Sequence, residues 1–580
     1  MIQVEKLSYG FPEKELYKEV SFTIEPKQHC AFIGSNGTGK TTLVDMIIDP
    51  ERYLFDGKII RSEEARIGYV TQFYRREESE QNMTVFEYLS KGFVENQAET
   101  AKVCEEMGVA EDLEPLMERY QELLDLFQAM DGDHYESNIK KQLYLANMTD
   151  KEQNLLSSLS GGEYKLLQVM KEMLFQPNLL IMDEPDIFLD FENINGLREL
   201  INAYEGTLLV ITHSRYLLNH CFNKILHLEN MDIQEFEGTY ADYNVALTKR
   251  KIALQEQVAE EQEEIERTAA VVDRMRVIAT NSDIATLGRA LHAKDSYLGR
   301  LRARAIKDPF VFLRSPGITL PKVSVDPETV ALKVENYNVA FDDTLLENVS
   351  FEIKAGQKVA IVGPNGTGKT TMLREIWKNQ NPAIQMGEDV KVGFLSQLHG
   401  EMLDGEHTIF DEFMNPGFEK RSQVREFMKD YYFEGDVLKQ KIKEFSGGEQ
   451  NLLQLAKIAV SDANFLILDE PTSHLDTYSQ IALERAIEKY QGTVLMVSHD
   501  FYNIVNCCDY VLFVDNKTVR SMRMRNFRKM VYDKHFKVEY LELEQKKKDL
   551  ETRTAQALEK KDFQLARELC DKLEVIVNQM

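Results

Sequence analysis

Apolar positions along the chain fall into three patterns. Short unbroken runs, "HCAFI", "KVAIV", "LLIM" and "FLIL", end at glycine or at paired acids. Runs of this length without polar alternation predict parallel strands buried on both faces. Elsewhere the period is helical: Leu113, Met117, Tyr120, Leu124 and Phe127 recur at steps of three and four, which predicts a helical hairpin, or arm. The third pattern is mostly polar. From Ala241 to about Thr280 it predicts one long helix, "NSD" at 281–283 offers a turn and an N-cap, and a second helix follows. The end of the chain, "YLELEQKKKDLETRTAQALEKKDFQLARELCDKLE", carries a weak helical period and predicts a short charged hairpin.

These patterns occur twice. "VEKLSYGF" returns as "VENYNVAF", "AFIGSNGTGKTT" as "AIVGPNGTGKTT", "LSGGEYKLLQ" as "FSGGEQNLLQ", and "LLIMDEP" as "FLILDEP". Ser160 to Asp183 is 23 positions, as is Ser446 to Asp469, and Asp183 to His213 is 30, as is Asp469 to His499. A repeat at this period means a duplicated domain. The expected organisation is a first domain over 1–243, a linker over 244–330, a second domain over 331–533 and a tail over 534–580. The interval before the signature serine is 39 residues longer in the first copy, which places the arm at about 95–145.

Length and charge narrow the class. A chain of 580 residues is too long for one core. No stretch approaches the ~20 apolar residues of a membrane-spanning helix. Six scattered cysteines without a CxxC pair argue against a disulfide framework or a zinc site and lead to the expectation of a cytoplasmic protein. The formal net charge is -27, which repels nucleic acid on average but leaves room for a local cationic patch.

The repeated motifs carry phosphate chemistry. "GSNGTGKT" and "GPNGTGKT" fit GxxxxGK[ST] between a strand-like run and a helix-like run. Glycines there let backbone N–H groups curl around phosphate oxygens at a helix N-terminus. The candidate binding residues are Gly34, Ser35, Asn36, Gly37, Thr38, Gly39, Lys40, Thr41 and Thr42, and then Gly363, Pro364, Asn365, Gly366, Thr367, Gly368, Lys369, Thr370 and Thr371. Lys40 and Lys369 suit the β/γ-phosphates of ATP, and Thr41 and Thr370 suit Mg²⁺. Asp183 and Asp469 end apolar runs and suit the Mg²⁺ shell, while Glu184 and Glu470 are placed to orient or deprotonate the attacking water.

"LSGGE" and "FSGGE" upstream of "DEP" resemble the signature of ABC-type ATPases, over about three quarters of the chain. The resemblance implies an α/β fold with two tandem domains, each a mixed sheet with flanking helices plus a helical subdomain. It implies a head-to-tail sandwich in which each ATP lies between one copy's phosphate loop and the other copy's signature. By the same resemblance Ser160, Gly161, Gly162 and Ser446, Gly447, Gly448 cap the γ-phosphate, Gln72 and Gln397 sense Mg²⁺ and water, His213 and His499 are switch histidines, and Phe11 and Phe341 stack on adenine. The first copy departs from the pattern: Asp186 stands where the second has Thr472, and Ser214 where it has Asp500. Both sites are expected to bind ATP, with slower turnover at the Lys40 site.

Two such domains, an arm and a charged linker resemble the F subfamily, ABC-F, whose members bind the ribosome at the tRNA exit site with the linker tip toward the peptidyl-transferase region. From Ile284 to Lys307 there are six basic residues and one acid. Arg289, Lys294, Arg300, Arg302 and Arg304 are the candidate contacts to ribosomal RNA and tRNA phosphates. The bland alternative is that these charges solubilise the hairpin or pair with "EEQEEIER". A translation factor and an antibiotic-resistance protein both fit, and the competing class is the ATP-binding subunit of a membrane transporter. A DNA-repair ATPase would call for a much longer coiled coil. The tail, with eight basic and nine acidic residues from Leu541 to Met580, holds no strong cationic patch.

Overall fold

The computed structural model describes the chain apart from residues 12–13, 63–64, 73–75, 111, 188, 281–284, 304–314, 341–343, 415–416, 536–537 and 580; side chains at 278–289, 300–303 and 532–541 are also left aside. The chain forms two compact units, one of Met1–Glu237 with Ser315–Val531 and one of Gly238–Arg314 with Tyr532–Met580.

The first unit contains the two copies. Each is built on a six-stranded sheet whose strand order is the same in both. In the first copy the order is Ile67–Val70, Leu179–Asp183, Thr207–Ile211, His29–Gly34, Lys224–Glu229 and Asp232–Glu237; only the last pairing is antiparallel. The runs read as doubly covered strands are the central ones, and every residue of Leu179–Asp183 and of Phe465–Asp469 is buried. An antiparallel three-stranded sheet, Lys14–Ile24 with Ile2–Phe11 and Asp56–Arg61, packs its alternating apolar face into the same core, where Tyr17, Phe22, Phe32 and Leu43 meet. Burial of side chains of this size stabilises each position by about 1.5–3 kcal/mol.

The arm of the first copy is made by Val85–Met107 and Glu114–Ala129, followed by Tyr135–Leu145. Thr84 and Glu87 close a capping box at its start. Asn96 Nδ2 donates to Leu123 O at 3.2 Å, and Arg119 pairs with Glu99 at 2.6 Å. The helical period expected here is present, and its residues divide between two faces. Leu113, Met117 and Leu124 are exposed, and the inward stripe is Leu116, Tyr120, Leu123, Phe127 and Met130. Apolar residues on both faces give two overlapping series with the same steps, so spacing alone does not choose between them.

The boundary after the linker falls at Ser315 rather than 331, because the intervening segment already packs on the second copy. Gly317 N donates to Asp430 O at 2.8 Å and Thr319 N to Tyr431 Oη at 3.4 Å.

The second unit is helical. "EGTYADYN" opens its long helix, Tyr240–Thr280, through a reciprocal cap: Thr239 N donates to Asp242 Oδ2 at 3.1 Å and Asp242 N to Thr239 Oγ1 at 3.2 Å. Ala285–Ala303 returns beside it, joined by Arg276 to Asp295 at 2.9 Å and by Tyr297 Oη donating to Glu264 Oε1 at 2.8 Å. The turn expected at 281–283 lies outside the described residues. The tail is a hairpin of Val538–Glu559 and Phe563–Val577. It shares a small core with the long helix, formed by Val245, Ile252, Ala557, Ala566, Leu569, Cys570, Leu573 and Val577. Among the described residues no helix is long and apolar enough to cross a membrane.

Candidate functional site

Each phosphate loop leaves a buried strand and turns into a helix, Lys40–Ile48 or Lys369–Lys378. The helix N-caps, Gly39 and Gly368, have φ of 100° and 89°, a left-handed conformation that costs glycine little. At Gly39 a Cβ would also lie 2.7 Å from Tyr17 Oη, whose hydroxyl donates to Gly39 O at 2.5 Å. Lys40 Nζ donates to Gly34 O and Ser35 O at 3.0 Å, and Lys369 Nζ to Gly363 O at 2.9 Å and Pro364 O at 2.5 Å. Both ammonium groups are buried, and desolvation lowers their pKa against the pull of the neighbouring carboxylates.

The strand-end acids come to the same place. Thr41 Oγ1 donates to Asp183 Oδ2 at 2.7 Å and Thr370 Oγ1 to Asp469 Oδ1 at 3.0 Å. The second carboxylate oxygens, Asp183 Oδ1 and Asp469 Oδ2, are buried without a hydrogen-bond partner. A threonine hydroxyl beside a carboxylate with one uncommitted oxygen is a donor set that suits Mg²⁺, which takes few protein ligands and keeps several waters. ATP and Mg²⁺ therefore fit the residues present.

Burial, then the adjacent Asp183, raises the Glu184 carboxyl to about 7, and burial with Asp469 raises that of Glu470. Gln72 Nε2 donates to Glu184 Oε2 at 2.9 Å. In the second copy His499 N donates to Glu470 Oε2 at 3.2 Å, and Gln397 lines the same cavity. Desolvation, followed by the nearby lysine charge, holds His213 and His499 below the usual imidazole range, so both rings are neutral at pH 7. His213 Nε2 is buried with no hydrogen-bond partner.

The signatures are helix starts. Ser160 caps Gly161–Leu174 and Ser446 caps Gly447–Ala459, each closed by the glutamate of "SGGE" reaching back to the serine N–H. A cavity of about 650 Å³ joins Ser160, Gly161 and Gly162 of the first copy to Lys369, Thr370, Gln397, Glu470 and His499 of the second. The loops also touch directly. Asn36 N donates to Asp476 Oδ2 at 3.1 Å, Asn36 Nδ2 to His474 O at 2.7 Å, and Asn365 N to Asp190 Oδ2 at 3.0 Å. Asp190 and Asp476 cap their own helices with the other oxygen. Phe11 is 52% exposed at a sheet end and packs edge-on against Tyr9. Phe341 lies outside the described residues, as does Arg304; the side chains of Arg289, Arg300 and Arg302 are not described. Lys294 is exposed over the Tyr297 ring.

Gly448 marks how closely the copies approach. A Cβ there would lie 2.4 Å from both Asn36 Nδ2 and His474 O, whereas Gly161 has open space. Gly448→Ala is expected to reduce ATP turnover by about tenfold or more through overpacking at this seam, and Gly161→Ala to change it less. Steady-state ATPase assays of the two variants check the order, and equal effects would contradict it.

Sequence reasoning did not nominate Asp190 and Asp476 as interface groups, although each stands six positions after its glutamate in both copies. It also missed Arg215, which has no counterpart in the repeat.

Fold and site together define a tandem phosphate-loop ATPase of the head-to-tail, nucleotide-sandwich class. The family described as ABC transporter matches residues 17–186 and 346–473, and a second model with the same description matches 226–287. The energy-dependent translational throttle protein EttA of Haemophilus influenzae is 27% identical, covering 86% of this chain and 89% of its own. ABC transporter F family member 5 of Arabidopsis thaliana is 28% identical, over 89% of this chain and 75% of its own. The solved RNase-L inhibitor is 18% identical with a TM-score of 0.57, covering 92% of each chain, which shows the shared fold. The chain belongs to the ABC family of ATPases, in its F subfamily, and hydrolyses ATP.

Proposed function

We propose that this ATPase acts on the ribosome, binding at the exit site with its linker toward the peptidyl-transferase centre, as a translation factor or as a resistance protein that protects the ribosome. The observation that carries the reading is the helix Ala285–Ala303, which places Arg289, Lys294, Arg300 and Arg302 on one short element of a chain with net charge -27. A concentrated cationic helix in an acidic protein fits phosphate contact more readily than general solubility, which the excess acid already supplies. The relationship to a translational throttle protein supports the same partner. In this reading Lys40 and Lys369 hold the triphosphates, and Thr41, Asp183 and Gln72 with Thr370, Asp469 and Gln397 surround Mg²⁺. Glu184 and Glu470 orient the attacking water, and the neutral His213 and His499 donate toward the γ-phosphate. Bound magnesium supplies charge neutralisation for phosphoryl transfer.

Trapping the Glu184→Gln/Glu470→Gln variant with ATP and sedimenting it with ribosomes tests the proposal. Co-sedimentation is expected, and it should fall steeply with salt and on neutralising Arg300 and Arg302 together. Recovery with membranes instead of ribosomes would overturn it.

A further inference from the structure

The two copies finish their six-stranded sheets with opposite charge. In register with the repeat, "KTVRSMRMRNFRK" at 517–529 stands where the first copy has "MDIQEFEGTYADY" at 231–243. The second copy has six basic residues there and no acid, and the first has four acids and no base. Both segments run through the edge strand of the sheet, Thr518–Arg523 or Asp232–Glu237. In the first copy the charge is balanced locally, because Lys224 pairs with Glu235 at 2.8 Å and with Glu237 at 2.9 Å. The place of Lys224 is taken in the second copy by Tyr510, opposite Arg523 in the ladder, which offers no carboxylate.

Lys517, Arg520, Arg523, Arg525 and Lys529 are exposed, and among the described residues none of the five is paired with an acid. Arg520 and Arg523 stand about 10 Å apart along the strand. Arg525 and Lys529 are one turn apart on the helix that continues it, Met524–His535. That helix is seated by Phe527, which is 2% exposed with its ring 6.2 Å from that of Phe501, and by Arg528, whose Nη2 donates to Val505 O at 3.3 Å. The outward cations are thus held in place without using their charge.

Charge of either sign keeps an exposed strand edge from pairing with another chain, and the first copy does this with glutamates. Solubility asks for no particular sign either, and the chain already carries an excess of acid. Five unpaired cations spaced near the Debye length of ~8 Å repel one another, and a polyanion removes that repulsion. Arginine, three of the five, forks onto phosphate oxygens. The apolar neighbours Met522, Met524 and Phe527 are half-buried or buried, so the patch lacks the exposed apolar side chains that a membrane interface would take up.

We infer that the strand Thr518–Arg523 and the start of the helix Met524–His535 form a second phosphate-binding surface, through which the second copy holds the backbone of structured RNA. This surface belongs to the first unit, whereas the linker helix belongs to the second. The inference rests on the ribosome reading for where that RNA is found, and not for its chemistry.

The test places Arg520→Gln/Arg523→Gln/Arg525→Gln/Lys529→Gln in the Glu184→Gln/Glu470→Gln protein held with ATP. Binding is measured against salt on two probes, whole ribosomes and ribosomal RNA stripped of protein. Four lost contacts at about 0.7–0.9 each predict a log–log slope shallower by about 3 on both probes, with binding at least about tenfold weaker at about 0.1 M salt. Arg520→Lys/Arg523→Lys/Arg525→Lys keeps the charge and should hold the slope within about 1 of the parent. With Glu184 and Glu470 intact and no RNA present, ATP turnover of the glutamine variant should stay within about twofold of its parent, as for other surface substitutions. An unchanged slope on stripped RNA overturns the inference, as does an equal loss in the lysine variant, which would mean packing and not charge. Patch-dependent binding to vesicles of phosphatidylserine and phosphatidylcholine, with none to RNA, also overturns it. A parent that binds stripped RNA through the patch yet ignores ribosomes leaves the surface standing and removes the ribosome reading.

Discussion

Arg215→Ala is expected to raise the ATP concentration needed to close the two halves by about tenfold. The guanidinium stands 11% exposed between the copies, donates to Glu484 and, at 3.1 Å, to Asp500, and lies 5.0 Å from the Tyr502 ring centroid. Glu484 and Asp500 are themselves 10% and 19% exposed. Removing one member of a buried ion network leaves the others desolvated and unpaired, at about 3–5 kcal/mol. The lower end applies, because Glu484 keeps a bond from Asn506 at 2.8 Å and Asp500 keeps the N–H groups of Tyr502 and Asn503. About 3 kcal/mol is roughly a hundredfold in the closure constant, and about tenfold in ATP concentration when two ATP molecules bind per closure. Small-angle scattering of the Glu184→Gln/Glu470→Gln protein, titrated with ATP, reads that shift. Restoring closure by adding Glu484→Gln and Asp500→Asn would tie the loss to stranded charge; a shift below about threefold in Arg215→Ala would refute the argument.

The same network explains one departure of the first copy from its repeat. Across the seam Arg215 aligns with Phe501, and Ser214 with Asp500. One guanidinium needs one acidic cluster, and a second aspartate at 214 would lie beside His213 and the carboxylates of the first site without an arginine opposite it. Ser214 keeps the local task, accepting from Leu217 N at 3.4 Å to cap its short helix.

How far the sequence could be read depended on whether a feature was repeated. The strands, phosphate loops, signatures and paired acids appear twice at fixed intervals, and chemistry that requires a glycine at positive φ or a threonine beside an aspartate leaves little choice of residue. Asp190 and Asp476 were visible in "PDIFLD" and "PTSHLD", yet nothing local distinguishes an aspartate that only caps a helix from one that also accepts across an interface. Arg215 and the inward stripe of the arm were illegible for a related reason. Each is set by what lies opposite it in space, and neither recurs in the other copy. The tail's period was weak because its buried positions are small or few, with Ala557, Ala566 and Cys570 among them.

That small core makes the tail sensitive to one charge. Leu569 is 1% exposed among Val245, Ile252, Ala566 and Leu573, and the flanking ion pairs, Lys249 with Glu574 at 2.7 Å and Arg567 with Glu256, lie at the surface and contribute little. Leu569→Asp removes most of a leucine's burial and places an unpaired carboxylate in its stead, a loss of more than about 4 kcal/mol. A core this size has no comparable reserve, so the hairpin is expected to detach from Tyr240–Thr280. The cysteines provide the measurement. Cys104 is exposed and the other five are buried, Cys570 with its thiol pushed up to about 11 chiefly by burial. A thiol reagent should therefore titrate one fast cysteine in the parent and two in Leu569→Asp, the new one at Cys570. Leu569→Met, which keeps volume and polarity, should show one. ATP hydrolysis without ribosomes is expected to persist, since the first unit holds all the nucleotide-binding residues. A single fast thiol in Leu569→Asp would mean that the long helix does not need the tail's apolar face to hold it.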